Sequence, residues 1–414
     1  EANRLALQAG YTYCEATEQF ASFYEVPAAR LEPGTYRNIS GHQALALGFV
    51  AAANKSHLKL FQGSYPITPA SDLLHELSVY KNFGVVTFQA EDEIAAIGAA
   101  IGAAFSGSLA ITSTSGPGMA LKSEFISLAI MVELPLVVVD VQRAGPSTGM
   151  PTKTEQADLL QAIYGRFAEA PCIVIAASTP ADSFDAAYEA CRLTLKHMTP
   201  VILLSDGFIA NGAEPWKLPE IDALADISVA YQAPSETFQP YSRDAETLAR
   251  PWAIPGTPGL EHRVGGLEKS AGSGDVSYDP LNHERMVHLR AEKVARVAND
   301  IPPAEPSGDA SGDLLVVGWG STYGAITSAV RRARAEGKKV SQLHLRHLNP
   351  LPRNLGEVLA RFEQILVPEI NLGQLSMMLQ ARFVRPVIAL NKVQGLPFAA
   401  EEIAVKIDEI LGNR

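Results

Sequence analysis

From about residue 39 to about 210 the sequence repeats one arrangement: a short apolar run, a polar or glycine-rich turn, then a segment of helical period. The runs are "HLKLFQGS", "GVVTFQ", "SLAITST", "PLVVVDVQ", "PCIVIAAS" and "PVILLSD". Between them lie "ASDLLHELSVY", "EIAAIGAAIGAAF", "MALKSEFISLAI" and "TEQADLLQAIYG". Runs that are continuously apolar, rather than alternating, belong to strands buried on both faces, and intervening helices supply the crossovers that parallel pairing requires. The pattern predicts an open, doubly wound α/β domain with a parallel sheet over residues 39–212.

The flanks read differently. Residues 1–38 are a helix followed by a polar connector. Residues 213–312 are rich in Pro, Gly, Ser and His, with breakers such as "PGTPGLEHRVGG" and "EPSGDASGD" and one helical piece near "HERMVHLRAEKVARVAND"; they read as a long connector on the surface. At "DLLVVGWGS" a smaller α/β domain opens over residues 313–414, with strands expected at "VSQLHL", "QILVPEI" and "PVIALNKV" and a last helix at "AAEEIAVKIDEILG". A chain of 414 residues has room for such cores.

A net charge of −11 with 19% charged residues argues against a nucleic-acid-binding or anionic-membrane surface. The three cysteines, Cys14, Cys172 and Cys191, are scattered and form neither a disulfide framework nor a metal or iron–sulfur ligand set. A reducing cytoplasm is the expected location. Ile94 to Ala120 carries no charge, yet it is mostly Ala and Gly, is interrupted by Ser106–Ser108 and lacks an aromatic belt, so it does not read as a membrane span. The chain starts at Glu1 without Met or a signal-peptide pattern and reads as a processed or partial chain.

Ligands of open α/β sheets bind outside the carboxyl ends of the strands. There the first four strands carry "YPITP", "QAEDE", "TSTSGPG" and "QRAGPSTGMPT", which together describe a cleft. In "YPITP" two prolines stiffen the loop around Ile67 and Thr68, either as an ordinary turn or to aim a side chain. Two formal motifs are set aside. "GPSTG" matches a nucleophile elbow, but Pro151 opposes the helix that should begin at its serine. "GWGSTYG" resembles a dinucleotide loop, but its third glycine, Gly324, is one residue late and no acid follows the next strand.

In order along the chain, "YPITP", "EDEIAAIGAA", "TSTSGPG", "QRAGPSTGMPTKTEQADL", "GLEH" and "PEINLGQL" resemble the α subunits of 2-oxoacid:ferredoxin oxidoreductases, most closely the 2-oxoglutarate type. The resemblance covers nearly the whole chain. It implies a pyrimidine-type thiamine diphosphate domain followed by a smaller domain like the C-terminal one of transketolase. It also implies a cofactor shared with a β subunit, which supplies the diphosphate and Mg²⁺ site and a [4Fe–4S] cluster, in an (αβ)₂ assembly. Many relatives carry a fused γ domain upstream, and residues 1–38 look like its tail. The implied reaction is decarboxylation of a 2-oxoacid, with electrons passed to ferredoxin and the acyl group to coenzyme A, or the reverse carboxylation. The alternatives are another 2-oxoacid such as pyruvate, a different thiamine enzyme, or a non-catalytic scaffold.

Site roles follow from the same resemblance. Thiamine needs a carboxyl beside its pyrimidine N1′, and "EDE" offers three. The family's spacing to a small residue nine positions on, Gly102, selects Glu93, with Glu91 second; Glu91 or Asp92 could instead cap the helix. Gly98 and its small neighbours would make room near the cofactor or pack against the sheet. Arg143 would hold the substrate carboxylate, or else make a surface ion pair. Thr68 would anchor the 2-oxoacid, and Pro66 and Ile67 would wall the cofactor. The C-terminal domain would buttress the subunit interface, with "NLGQL" approaching the site.

Overall fold

The computed structural model describes residues 1–17, 25, 27–29 and 31–412. Residues 1–36 make one unit and residues 37–414 another. The first contains the helix Ala2–Thr17, where the sequence predicts one. The polar connector expected after it falls partly outside the described residues.

In the second unit, β1 (Leu60–Ser64), β2 (Val85–Gln89), β3 (Leu109–Thr114), β4 (Leu136–Gln142), β5 (Ile173–Ala176) and β6 (Pro200–Asp206) fall within the six apolar runs. They pair in parallel throughout. Further on come β7 (Gly312–Gly318), β8 (Val340–His344), β9 (His347–Asn349), β10 (Phe362–Glu369) and β11 (Ile388–Asn391). The seven-stranded sheet runs β9-β5-β6-β4-β3-β1-β2, and the second, all-parallel sheet runs β8-β7-β10-β11.

Unbroken apolar strands feed two faces at once, as parallel pairing under helices demands. In β4, Leu136 and Val138 enter one core while Val137, Val139 and Val141 enter the other. The first of these cores continues into the second sheet through Leu315, Val317, Ile365 and Val367, so the two sheets share it. At roughly 1.5–3 kcal/mol for each fully buried aliphatic side chain, this continuity holds the second sheet against the first.

Two local expectations are corrected. "TEQAD" is not helical; the helix starts at Leu159 and ends at Tyr164, because residues 154–158 are bonded to other elements, as described below. "MALKSEFISLAI" is divided into the helices Gly116–Leu121 and Ser123–Val132. Strand β9, not foreseen, pairs antiparallel with β5 and is fixed by Asn349 Nδ2 donating to the Cys172 carbonyl at 2.7 Å. Three residues are too few to show a pattern in sequence.

Residues 218–279 are largely irregular and lead to the helix Pro280–Arg296, which starts with Asp279 as its cap and Pro in its first turn. The stretch nonetheless buries Tyr241, Arg250 and Trp252. Among the described residues no helix is long and apolar enough to cross a membrane.

Candidate active site

The order β4-β3-β1-β2 places a topological switch point between β1 and β3, where the chain, having run outward to β2, returns to the other side. The carboxyl ends there are hydroxyl-rich. Ser64 and Ser113 lie 3.0 Å apart through their Oγ atoms, and Gln62 donates to Ser113 at 3.1 Å. From Ser64 the chain enters "YPITP". Ser71, opening the next helix, clamps the loop: the Ile67 N–H donates to Ser71 Oγ at 2.9 Å, and the Ser71 N–H donates to the Ile67 carbonyl at 3.0 Å. Ile67 packs partly on the core, whereas Pro66 and Thr68 are exposed.

After β2, the three acids of "EDE" separate by role. Asp92 is the N-cap of the helix Glu93–Phe105, accepting from the Ala95 N–H at 2.7 Å. Glu91 is exposed and Glu93 is buried. No hydrogen bond reaches the Glu93 carboxyl among the described residues. A Cβ on Gly118 would collide with Thr114 Oγ1 and come 2.8 Å from Glu93 Cγ, so only glycine lets the turn after β3 close over Glu93. Gly102 meets open space, while a Cβ on Gly98 would come 3.2 Å from the Phe125 ring; the smallness of Gly98 serves helix packing.

Behind Glu93 lies Lys122, fully buried at the break between two helices. Its Nζ donates to the Glu93 carbonyl at 2.8 Å and to Thr112 Oγ1 at 3.1 Å. Burial pulls its pKa down to about 8, against the attraction of Glu93 and Asp92.

Arg143 leaves the tip of β4 and donates from Nη1 to the Thr68 carbonyl at 2.6 Å. Two of the expected substrate residues, 75 positions apart, thus meet directly. Arg143 is 8% exposed, its Nε is buried without a partner among the described residues, and it lines a cavity of about 590 Å³. Gly116 and Pro117 form another wall, and Asn371, Leu372 and Gln374 of "NLGQL", which follow β10 of the second sheet, a third. Glu93 is not a lining residue and is tied to neither Arg143 nor Thr68; it adjoins the cavity through the helix Gly116–Leu121.

The far wall is built by "TEQAD". Thr154 Oγ1 donates to Asp206 at 2.8 Å, Gln156 Nε2 to the Trp319 carbonyl at 2.7 Å, and the Asp158 N–H to Gln142 Oε1 at 3.1 Å. Gln374 Nε2 donates to the Ala157 carbonyl at 2.7 Å. These bonds keep residues 154–158 out of the helix, with a turn at 157–158, and fasten them to both sheets. Gln156 also fills the glycine turn after β7, where a Cβ on Gly320 would strike it, so the turn resembling a dinucleotide loop is occupied by the chain itself. In "GPSTG" no helix begins at Ser147; turns continue until Leu159.

Sequence reasoning missed Lys122, Asp140 and Asp158. Asp140 had a signal, a lone acid inside the apolar run "LVVVDVQ", since an ionisable group placed there needs a partner. Its ionisable neighbour is Asp158, a second carboxyl, and neither Asp140 oxygen has a hydrogen-bond donor among the described residues.

With this geometry in place, comparison with known proteins is specific. Residues 53–277 match the pyruvate flavodoxin/ferredoxin oxidoreductase family, thiamine diphosphate-binding, and residues 312–403 match pyruvate:ferredoxin oxidoreductase core domain II. The chain is 58% identical to 2-oxoglutarate oxidoreductase subunit KorA of Mycobacterium tuberculosis, over 100% of its own length and 63% of that relative's. It is 31% identical to 2-oxoglutarate synthase subunit KorA of Methanothermobacter marburgensis, over 91% of this chain and 97% of that one. It superposes with a TM-score of 0.92 on 2-oxoglutarate:ferredoxin oxidoreductase from Magnetococcus marinus, solved with 2-oxoglutarate, coenzyme A and succinyl-CoA bound. That match has 34% identity and covers 99% of this chain and 71% of the other.

Proposed function

The chain belongs to the thiamine diphosphate-binding family of pyruvate flavodoxin/ferredoxin oxidoreductases, and on that premise we propose that it is the α subunit of a 2-oxoglutarate:ferredoxin oxidoreductase. In this reading it works with a β subunit that carries the diphosphate and Mg²⁺ site and the iron–sulfur centre, in an (αβ)₂ assembly. The reaction converts 2-oxoglutarate and coenzyme A to succinyl-CoA and carbon dioxide while reducing ferredoxin, or runs in reverse. The observation that carries the reading is Arg143, a buried guanidinium with an unpartnered N–H, opening into a cavity at the carboxyl edge of the sheet.

The residues present fit the pyrimidine end of thiamine diphosphate. Glu93 is a buried carboxyl with free acceptors, spared from capping by Asp92 and covered by a glycine turn. When bound, the cofactor supplies the carbon nucleophile and electron sink that a 2-oxoacid requires. Glu93 then holds a proton at the pyrimidine N1′. Arg143 binds the substrate carboxylate and Thr68 orients the keto acid beside it, while Pro66 and Ile67 wall the cofactor. Arginine suits its place because a guanidinium can meet a carboxylate bidentately while another N–H stays on the Thr68 carbonyl.

The test is viologen reduction by the chain assembled with its iron–sulfur partner, across a panel of 2-oxoacids with coenzyme A. Preference for 2-oxoglutarate by about tenfold or more in kcat/KM is expected; a pyruvate preference would overturn the substrate, and no turnover of any 2-oxoacid the activity. Within this assay, Arg143→Met is expected to lower kcat/KM at least about tenfold for every 2-oxoacid alike, the α-carboxylate being common to all. A loss confined to dicarboxylic substrates would show that Arg143 reads the distal carboxylate.

A further inference from the structure

The cavity beneath Arg143 holds more acid than an anion site should. Arg143 is the one cation among its described lining residues, whereas Glu155 and Asp158 both line it and Asp140 stands behind Asp158. The walls from Gly116–Ala120 and from Asn371, Leu372 and Gln374 bring no charge. With every carboxyl ionised, an incoming 2-oxoacid would meet a net negative pocket.

The pair geometry indicates how this is avoided. Asp140 is wholly buried on β4 beside Asp158, and neither of its carboxyl oxygens has a hydrogen-bond donor among the described residues. Two neighbouring buried carboxyls with oxygens left without donors cannot both be ionised, so the pair retains a proton, shared as a hydrogen bond between them. Burial, then the charge of Asp158 and its hydrogen bond, keep that proton on Asp140 well above the usual carboxylate range. Asp158 is pushed up to about 6 by burial, opposed by the hydrogen bond from Asp140, then raised by Glu155 and lowered by Arg143. Asp158 lines the cavity, while its Oδ2 is buried without a partner among the described residues, 3.0 Å from where a Cβ on Gly116 would sit.

We propose that Asp158 binds the anionic 2-oxoacid as a neutral carboxylic acid, donating a hydrogen bond from its carboxyl, so that each binding event takes up one proton from solvent. The proton returns to solvent when the site empties. Arg143 thereby supplies the charge that attracts the substrate, and Asp158 supplies a donor without a countercharge. The inference rests on the reading of this cavity as the 2-oxoacid site.

The test is kcat/KM for 2-oxoglutarate between pH 6 and 8 in the assembled complex, since this parameter reports ionisations of the free enzyme. In the wild type it is expected to fall by up to about tenfold per pH unit above about pH 6. Asp158→Asn, whose amide donates at every pH, should lose that slope. Arg143→Met should be lower throughout and keep it. An undiminished Arg143→Met overturns the cavity reading; an impaired Arg143→Met beside an Asp158→Asn with the wild-type slope overturns only the role of Asp158. Asp140→Asn still donates to Asp158 and should retain the slope; losing it there would move the titrating proton to Asp140 and overturn the assignment. Calorimetry of 2-oxoglutarate binding to wild-type complex stripped of thiamine diphosphate, in phosphate and in Tris, reads the proton without any variant. Equal heats in the two buffers would overturn the proposal.

Discussion

Replacing Glu93 with Ala is expected to slow exchange of the thiamine C2 proton by roughly 10²–10⁴-fold, the usual worth of a positioned acid–base group. The argument rests on a division of labour among three adjacent acids. Asp92 is committed to the helix N-terminus, where its carboxyl accepts from Ala95 at 2.7 Å. Glu91 points to solvent. Glu93 alone is buried at the strand edge with acceptors free, beneath a turn that only Gly118 allows so close. Lys122, donating to the Glu93 carbonyl at 2.8 Å, fixes the first turn of the helix against β3 and brings a buried positive charge near the carboxyl. Exchange followed by NMR in the assembled complex isolates this step from substrate binding and electron transfer. Glu91→Ala is the control and should leave the rate unchanged. A normal rate in Glu93→Ala with a slow one in Glu91→Ala would exchange the two assignments.

How much of this is legible in sequence depends on whether a residue's partner is near it in the chain. The parallel strands are legible because burial on both faces favours continuously apolar runs over alternating ones, and six such runs recur with helical segments between them. The cleft is legible because strand polarity alone sends "YPITP", "EDE", "TSTSGPG" and Arg143 to one edge. The Arg143 contact is not, since its acceptor is a backbone carbonyl at Thr68, which carries no residue-specific signal. The helical period of "TEQADLLQAIYG" is real from Leu159 onward, but Thr154, Gln156 and Asp158 bond to Asp206, Trp319 and Gln142, and those tertiary bonds override local propensity. Residues 213–312 look like surface connector because they are rich in Pro, Gly, Ser and His. Four of their cations in fact converge around a single carboxylate at the end of a distant helix.

That carboxylate is Glu133, and Glu133→Gln is expected to destabilise the chain by about 3–5 kcal/mol at neutral pH, the cost of breaking a buried ion pair by removing one partner. Glu133 ends the helix Ser123–Val132 and is 2% exposed. Its two carboxylate oxygens pair with Arg243 and Lys293, and its carbonyl accepts from Arg250 Nε at 3.0 Å. Arg250 and Lys269 each stand 5.3 Å from the centre of the buried Tyr241 ring, with Arg243 at 5.6 Å. Burial alone would push the Glu133 carboxyl up, but Lys293 and Arg243 outweigh it and hold it below the usual carboxylate range. An amide of the same shape keeps the packing and loses the charge, leaving the guanidinium and ammonium groups buried without their counterion. Because the folded value is depressed, the wild-type advantage is complete above the ordinary Glu pKa of about 4.3 and declines as pH falls through the lower folded value. The gap between wild type and Glu133→Gln in urea-unfolding midpoints should therefore be wide at pH 7 and narrow steadily below about pH 4. A gap that stays constant with pH would mean that the loss comes from packing, and no gap at pH 7 would mean that the four cations of residues 213–312 are neutralised without Glu133.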